Sequence, residues 1–166
     1  MNRQVNLPTP PQMRVEPWPD ARTEGFGHRP GSAYIGRVWL GALGPSATWA
    51  WSHLATVATE APGSTLDMAD LARSLGLGTA LGPNGPLSRT LGRLAAFDTL
   101  QRAGEVLVVR RALPDMPYGL LAQQSASARA AHERLAHTHV AERAFTRQPW
   151  PVPAHTMPEP SLAAEL

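Results

Sequence analysis

The sequence predicts a mainly α-helical domain with a small β-hairpin, an α+β fold, held between two disordered tails. Three observations lead to this prediction. Residues 45–60 and 67–76 carry apolar side chains at helical spacing. A third amphipathic stretch, residues 84–96, is followed at once by two short runs that meet at a glycine, which indicates a hairpin. Most of the 17 prolines lie near the two ends of the chain.

The N-terminal tail is predicted over residues 1–32, where prolines and glycines recur and few apolar side chains stand among them. Such a segment cannot offset its ordering entropy by burial, so we expect it to be disordered and its first 30 residues to be dispensable for the fold. Trp18 is either a stray aromatic or a short anchor for a partner. Residues 141–166, with Trp150, form the second predicted tail.

The core domain is predicted over residues 33–115 and opens with the run AYIGRVWLGAL. Ile35, Val38, Trp39 and Ala42 fit a helix, but the composition also fits a strand, and a short apolar run cannot be settled by period alone. In either conformation this segment belongs to the core.

The first clear helix begins at Pro45 and ends near Glu60, with Trp49 off its apolar stripe and His53 expected at the surface. The second helix is capped by Asp67, with Asp70 at the third helical position, and is ended by Gly76.

The third helix is expected over residues 84–96, with Pro86 in its first turn. Its leucines form one stripe, and Arg89 and Arg93, four residues apart, then share the solvent side. A strand over residues 99–102, a turn at 103–104 and a return strand over 105–112 complete the hairpin.

A C-terminal helical extension is predicted over residues 116–140. Its main helix, SARAAHERLAH, is capped by Ser125 or Ser127 and ends at His137. The apolar face of this helix is thin. It either packs back on the domain or pairs with a second copy, and it is the part of the chain we expect to form a homodimer.

Composition excludes several classes of function. The chain has no cysteine, which rules out disulfides, thiol catalysis and Cys-based zinc sites, and every basic residue is Arg.

His132 and His137 are five residues apart, so they cannot share a metal on a straight helix. We expect no metal, no cofactor and no enzymatic activity. The absence of a signal peptide and of a spanning apolar run predicts a cytoplasmic protein without membrane contact.

The run LDMADLARSLGLG, followed by a third helix and a hairpin, resembles the winged helix-turn-helix domain over roughly residues 45–112. The pairs Leu71-Ala72 and Gly76-Leu77, with Leu75 between them, are similar to the core of that family between its second helix and its turn. The link from residue 76 to residue 83 is longer than the usual turn. The chain is also similar to small actinobacterial proteins, a similarity that carries no function.

The resemblance implies that the third helix enters the DNA major groove and that the hairpin, or wing, touches the backbone. Residues 85–111 hold five arginines against Asp98 and Glu105, a local net charge of +3. The predicted DNA contacts are Asn84, Ser88, Arg89 and Arg93 on the helix and Gln101, Arg102, Arg110 and Arg111 on the hairpin.

The sequence therefore predicts a binding protein for double-stranded DNA, either a transcriptional regulator or a site-binding factor of a mobile element. The alternative is a winged-helix module that binds proteins and not DNA. In that case the tryptophans outside the core, Trp18, Trp49 and Trp150, would supply the contacts.

Overall fold

The computed structural model of the protein describes residues 8–145, with side chains except at residues 22 and 137–145. This part of the chain is a mixed α/β fold around one four-stranded sheet. In chain order the elements are β1 (Gln12–Pro17), α1 (Ala21–Phe26), a π-helical turn (Ile35–Trp39), α2 (Leu40–Leu43), α3 (Pro45–Glu60), β2 (Thr65–Asp67), α4 (Met68–Ser74), α5 (Pro86–Ala96), β3 (Leu100–Ala103), β4 (Val106–Val109), α6 (Tyr118–Leu121) and α7 (Ala126–Phe145).

The sheet is larger than the predicted hairpin. Its strand order is β2-β1-β4-β3, so β1 lies between β2 and the hairpin. β1 runs antiparallel to β2, with Met13 opposite Leu66, and parallel to β4, with Val15 opposite Leu107. β4 is therefore paired on both sides, and β3 is the free edge of the hairpin within the described chain.

The prediction that residues 1–32 are disordered is wrong for residues 8–32; residues 1–7 lie outside the described part. Met13 and Val15 are fully buried, and they alternate with exposed Gln12 and Arg14. This alternation is that of a half-buried strand. Proline does not prevent it, because Pro11 precedes β1 and Pro17 is its last residue.

The segment after β1 is also ordered. Asp20 begins α1, since its carboxylate accepts the Thr23 N–H at 3.4 Å and its carbonyl accepts the Glu24 N–H at 3.0 Å. Trp18 packs on the chain's own domain: its backbone N–H donates to the Val109 carbonyl at 2.8 Å, and the Arg110 guanidinium carbon lies 4.1 Å from the centre of its ring. These contacts fit neither a stray aromatic nor an anchor that is free for a partner.

The segment 33–43 is helical and not a strand. The π-helical turn continues directly into α2, and Ile35, Val38, Trp39 and Ala42 are all buried, as helical spacing predicts. The indole N–H of Trp39 donates to the Pro114 carbonyl at 2.9 Å, which ties this helix to the chain beyond the hairpin.

The two following helices are confirmed in type and position. α3 spans the predicted residues, with Trp51 and Leu54 fully buried and Trp49 70 % exposed. At the start of α4 the Asp67 carboxylate accepts the Asp70 N–H at 2.8 Å. The helix ends where Gly76 adopts a φ of +68°, and the Leu77 N–H then bonds the Ala72 carbonyl.

α5 and the hairpin are confirmed with shifts of one or two residues. α5 begins at Pro86, two residues later than expected, and its leucines face the core. Ala103 pairs with Val106, so the two-residue loop is Gly104-Glu105 and not Ala103-Gly104. Gly104 has a φ of +61°, a conformation that suits glycine in such a loop.

The C-terminal helix packs back on the domain through its first turns. Ser125 is the capping residue, since its hydroxyl accepts the Ala128 N–H at 3.2 Å. Ala128 and Ala131 are buried, and His132 meets Tyr34 beside the π-helical turn. The α7 backbone continues past the predicted end at His137 to Phe145, so residues 141–145 are helical. Residues 146–166, with Trp150, lie outside the described chain. The homodimer stays a prediction.

Within the described residues, no helix combines the length and the apolar character needed to cross a membrane.

Candidate nucleic-acid interface

The exposed face of α5 is fixed by the leucines on its other side. Leu87 and Leu94 are fully buried and Leu91 nearly so, which directs Arg89 and Arg93 to the solvent. The helix packs on α3 and is followed directly by β3. Its orientation is thus set by the core, as the amphipathic pattern predicts.

A groove of about 660 Å³ runs between α5 and the junction of α2 with α3. The two arginines are the only charged groups among the described residues that line it, so no carboxylate opposes an anion there. The lining residues are Leu43, Gly44, Pro45, Ser46, Ala47, Leu77, Pro86, Arg89, Thr90 and Arg93. We call this feature the α3–α5 groove.

The two arginines of the groove differ in how they are held. Arg89 is exposed, and no hydrogen bond or ion pair joins its guanidinium to another described residue. Arg93 donates to the Ala42 carbonyl at 2.5 Å, and its guanidinium carbon lies 5.6 Å from the centre of the Phe97 ring. Arg93 is therefore anchored at the end of α2, whereas Arg89 can move freely in solvent.

Among the polar candidates, Asn84 and Gln101 are exposed and Ser88 is not. Ser88 is only 3 % exposed, and its hydroxyl lies 2.8 Å from the Thr9 hydroxyl and 3.2 Å from the Leu81 carbonyl. The expectation that Ser88 faces DNA is wrong, because the N-terminal segment covers this side of α5.

The same segment reaches the hairpin. The Arg102 guanidinium donates to the Pro8 carbonyl at 2.7 Å and to the Gly104 carbonyl at 3.3 Å. The described chain thus begins between the first turn of α5 and the tip of the hairpin.

Arg110 and Arg111 are engaged in ion pairs with the segment that the sequence placed in a tail. Arg110 pairs with the Asp20 carboxylate, bonds the Asp98 carbonyl and lies 4.1 Å from the centre of the Trp18 ring. Arg111 pairs with Glu24. Their assignment as DNA contacts does not fit this geometry, because Asp20 and Glu24 compensate the charge of both arginines and would repel a phosphate placed beside them.

The charge near the hairpin is therefore lower than the local sequence indicates. Asp20 and Glu24 reduce the local net charge from +3 to +1. Arg89 and Arg93 are exposed, and Arg102 is half-buried. A second depression of about 610 Å³ is lined by Arg29 and Arg111 but also by Glu24 and Glu60, which makes it a poor surface for a polyanion.

A buried polar network was not expected from the sequence. The Tyr34 hydroxyl accepts the Met116 N–H at 2.9 Å and lies 2.6 Å from His132 Nδ1. The Tyr34 ring stacks on His28, with centroids 3.6 Å apart, and His28 Nε2 lies 2.7 Å from Asp115. Only the tertiary fold brings these positions together.

Burial raises the pKa of the Tyr34 hydroxyl to about 12; the Met116 N–H partly offsets this effect, and the Asp115 carboxylate adds to it. Tyr34 is therefore neutral at physiological pH, and its hydroxyl can donate a hydrogen bond to His132 Nδ1. The described residues hold no group of His, Asp or Glu arranged to bind a metal ion.

Comparisons of the chain with protein-family models, with curated proteins and with solved structures found no match.

Proposed function

We propose that this protein binds double-stranded DNA through α5 and the β3–β4 hairpin, as a transcriptional regulator or a site-binding factor in the cytoplasm. The observation that carries this proposal is the α3–α5 groove, where Arg89 and Arg93 face solvent and no described carboxylate lines the surface. Such a surface suits a polyanion.

The order of the elements supports a winged helix-turn-helix as the framework. From α3 onward the chain forms a helix, a short strand, two helices and a hairpin. With α5 as the third helix, its exposed side would enter a major groove about 12 Å wide, and the hairpin would lie along the backbone. β1 is an addition to this framework.

The proposed DNA contacts are five of the eight residues that the sequence predicts. Arg89 and Arg93 on α5, Asn84 before it, and Gln101 and Arg102 on the hairpin keep accessible side chains. Backbone phosphates would set the register, and α5 would read base edges. The proposed mechanism is DNA binding without a chemical reaction.

The test is the affinity of the protein for a pool of short duplexes of random sequence, measured at several salt concentrations. Arginine contacts to two phosphates predict a log–log salt slope of roughly −2, since each neutralised phosphate contributes about −0.9. The Arg89→Ala/Arg93→Ala variant should bind more weakly, with a slope smaller by about 1.

A matched control removes the same charge elsewhere. Arg37 and Arg129 are exposed, on the π-helical turn and on α7. Arg37→Ala/Arg129→Ala should bind nearly as the unmodified protein does. An equal loss in both double variants would assign the effect to net charge and would contradict the proposed interface. No binding at low salt would overturn the function.

The alternative, a protein-binding module, is favoured by one observation. Trp49 is 70 % exposed on α3, one turn after Pro45, which lines the groove. An exposed Trp is typical of binding hot spots. A partner held by Trp49 would be lost in Trp49→Ala, would be kept in Arg89→Ala, and would respond little to salt.

A further inference from the structure

We propose that the two arginines of α5 have different tasks: Arg93 holds a backbone phosphate in the α3–α5 groove, and Arg89 reads a base edge. This inference rests on the proposed function. It also departs from the sequence pattern, in which the two residues, four apart on one helix face, are equivalent.

The assignment of Arg93 follows from its anchor. Its guanidinium is held by the Ala42 carbonyl at 2.5 Å and by the Phe97 ring, so these two contacts fix the side chain beside the groove that it lines. A guanidinium has five N–H donors, and one carbonyl uses only part of them. The remaining donors can bind phosphate oxygens with little further loss of side-chain entropy.

The shape of the groove agrees with this assignment. Its other lining residues are small or apolar, and Gly44 and Pro45 leave no side-chain carboxylate beside Arg93. The negative charge of a phosphodiester is complementary to this surface, because its only charged lining residues within the described chain are arginines. Phosphate contacts position a protein on the duplex and carry no sequence information.

The assignment of Arg89 follows from its freedom. It lies one turn closer to the N-terminus of α5, where recognition helices contact bases, and its side chain has no partner among the described residues. A free, fully extended Arg can form the bidentate contact with guanine O6 and N7, which is the commonest specific contact in the major groove. Lys lacks the rigid planar fork that fixes this paired geometry, so the exchange is not conservative at such a contact.

The experiment first selects a preferred duplex from a random pool with the unmodified protein. Affinities for that duplex and its single-base variants are then measured for Arg89→Lys, Arg93→Lys, Arg89→Ala and Arg93→Ala. Arg93→Ala should weaken binding to all duplexes alike and reduce the salt slope by about 0.9. Arg93→Lys should restore most of the affinity.

Arg89→Lys should keep the salt slope but lose discrimination at one G·C pair, by roughly 5- to 150-fold. A duplex series in which one phosphate at a time is replaced by an uncharged methylphosphonate gives an independent test. One of these replacements should weaken DNA binding by the unmodified protein and leave binding by Arg93→Ala unaffected.

The outcomes separate the two proposals. No binding of the unmodified protein to any duplex at low salt overturns the function itself. Binding with a changed base preference in Arg93→Ala, or with an unchanged preference in Arg89→Lys, overturns the division of tasks and leaves the function standing. Circular dichroism melting checks each variant, because Arg93→Ala also loses its bond to Ala42 and Arg93→Lys can keep it.

Discussion

Replacing Tyr34 by Phe removes one hydroxyl from the buried network that joins α7 to the core. The ring and its stacking on His28 remain, so the change isolates the hydrogen bonds. The buried Met116 N–H, which now donates to Tyr34 at 2.9 Å, would lose its acceptor. An unsatisfied buried donor costs about 1–3 kcal/mol, and His132, which is partly exposed, can turn to water. We expect a loss of about 2 kcal/mol at neutral pH.

The pH dependence gives this prediction a second, sharper readout. The pKa of Tyr34 rises from its ordinary value of about 10 to about 12 in the folded protein. Between these two values the unfolded chain loses the Tyr34 proton and the folded chain keeps it. The stabilisation is thus complete below about pH 10 and is lost as pH rises through about 12, by roughly 2–3 kcal/mol in total.

The composition leaves few other groups that titrate in the pH range of this measurement. The chain has no Lys and no Cys, so tyrosine is its only side-chain type with an ordinary pKa between about 8 and 12. The free energy of unfolding, measured by urea titration from pH 7 to about 12, should converge for the unmodified protein and Tyr34→Phe at the alkaline end. Tyr118→Phe is the matched control, because Tyr118 is 87 % exposed.

Two results would contradict this role of Tyr34. Parallel pH profiles for the unmodified protein and Tyr34→Phe would show that the hydroxyl is not held neutral by burial. A loss of stability in Tyr118→Phe equal to that in Tyr34→Phe would show that the network contributes nothing specific.

Two further predictions concern the fold. Removing residues 1–17 deletes β1 and with it the buried Met13 and Val15, a loss of about 3–6 kcal/mol from burial alone, so cooperative thermal unfolding should disappear. The control Gln12→Ala, on the exposed face of the same strand, should melt at an unchanged temperature. A truncated chain that still unfolds cooperatively would contradict the role of β1. Gly85→Ala places a Cβ 2.2 Å from the Ala80 carbonyl oxygen and should lower the free energy of unfolding, measured with urea, by about 1–3 kcal/mol. The Cβ of Gly82→Ala meets nothing within 4 Å, so this variant is the control. Equal stability of the two variants would mean that the loop before α5 shifts to accept the Cβ without loss of stability.

The local features of this chain were determined by its sequence. The bounds of α3, the Asp67 cap, the Gly76 terminus and the leucine face of α5 each depend on residues within a turn or two of one another. Capping and amphipathic spacing act over such short distances, and no distant partner is needed to recognise them. The coarse picture of helices with a hairpin followed from these signals.

The place of β1 was decided by the tertiary structure. The alternation of Met13 and Val15 with polar residues was present in the sequence, but it is short and stands among prolines. A strand of six residues gains its stability from neighbours that lie far away in the chain, here β2 and β4. Composition alone therefore favoured disorder.

The candidate site shows the same division. Helical spacing alone placed Arg89 and Arg93 in solvent, whereas pairing with Asp20 and Glu24 across about 90 residues removed Arg110 and Arg111 from the free charge. Thr9 likewise covers Ser88. Exposure on one helix is a local property that periodicity predicts, but the availability of a charge depends on which distant carboxylate the fold brings to it.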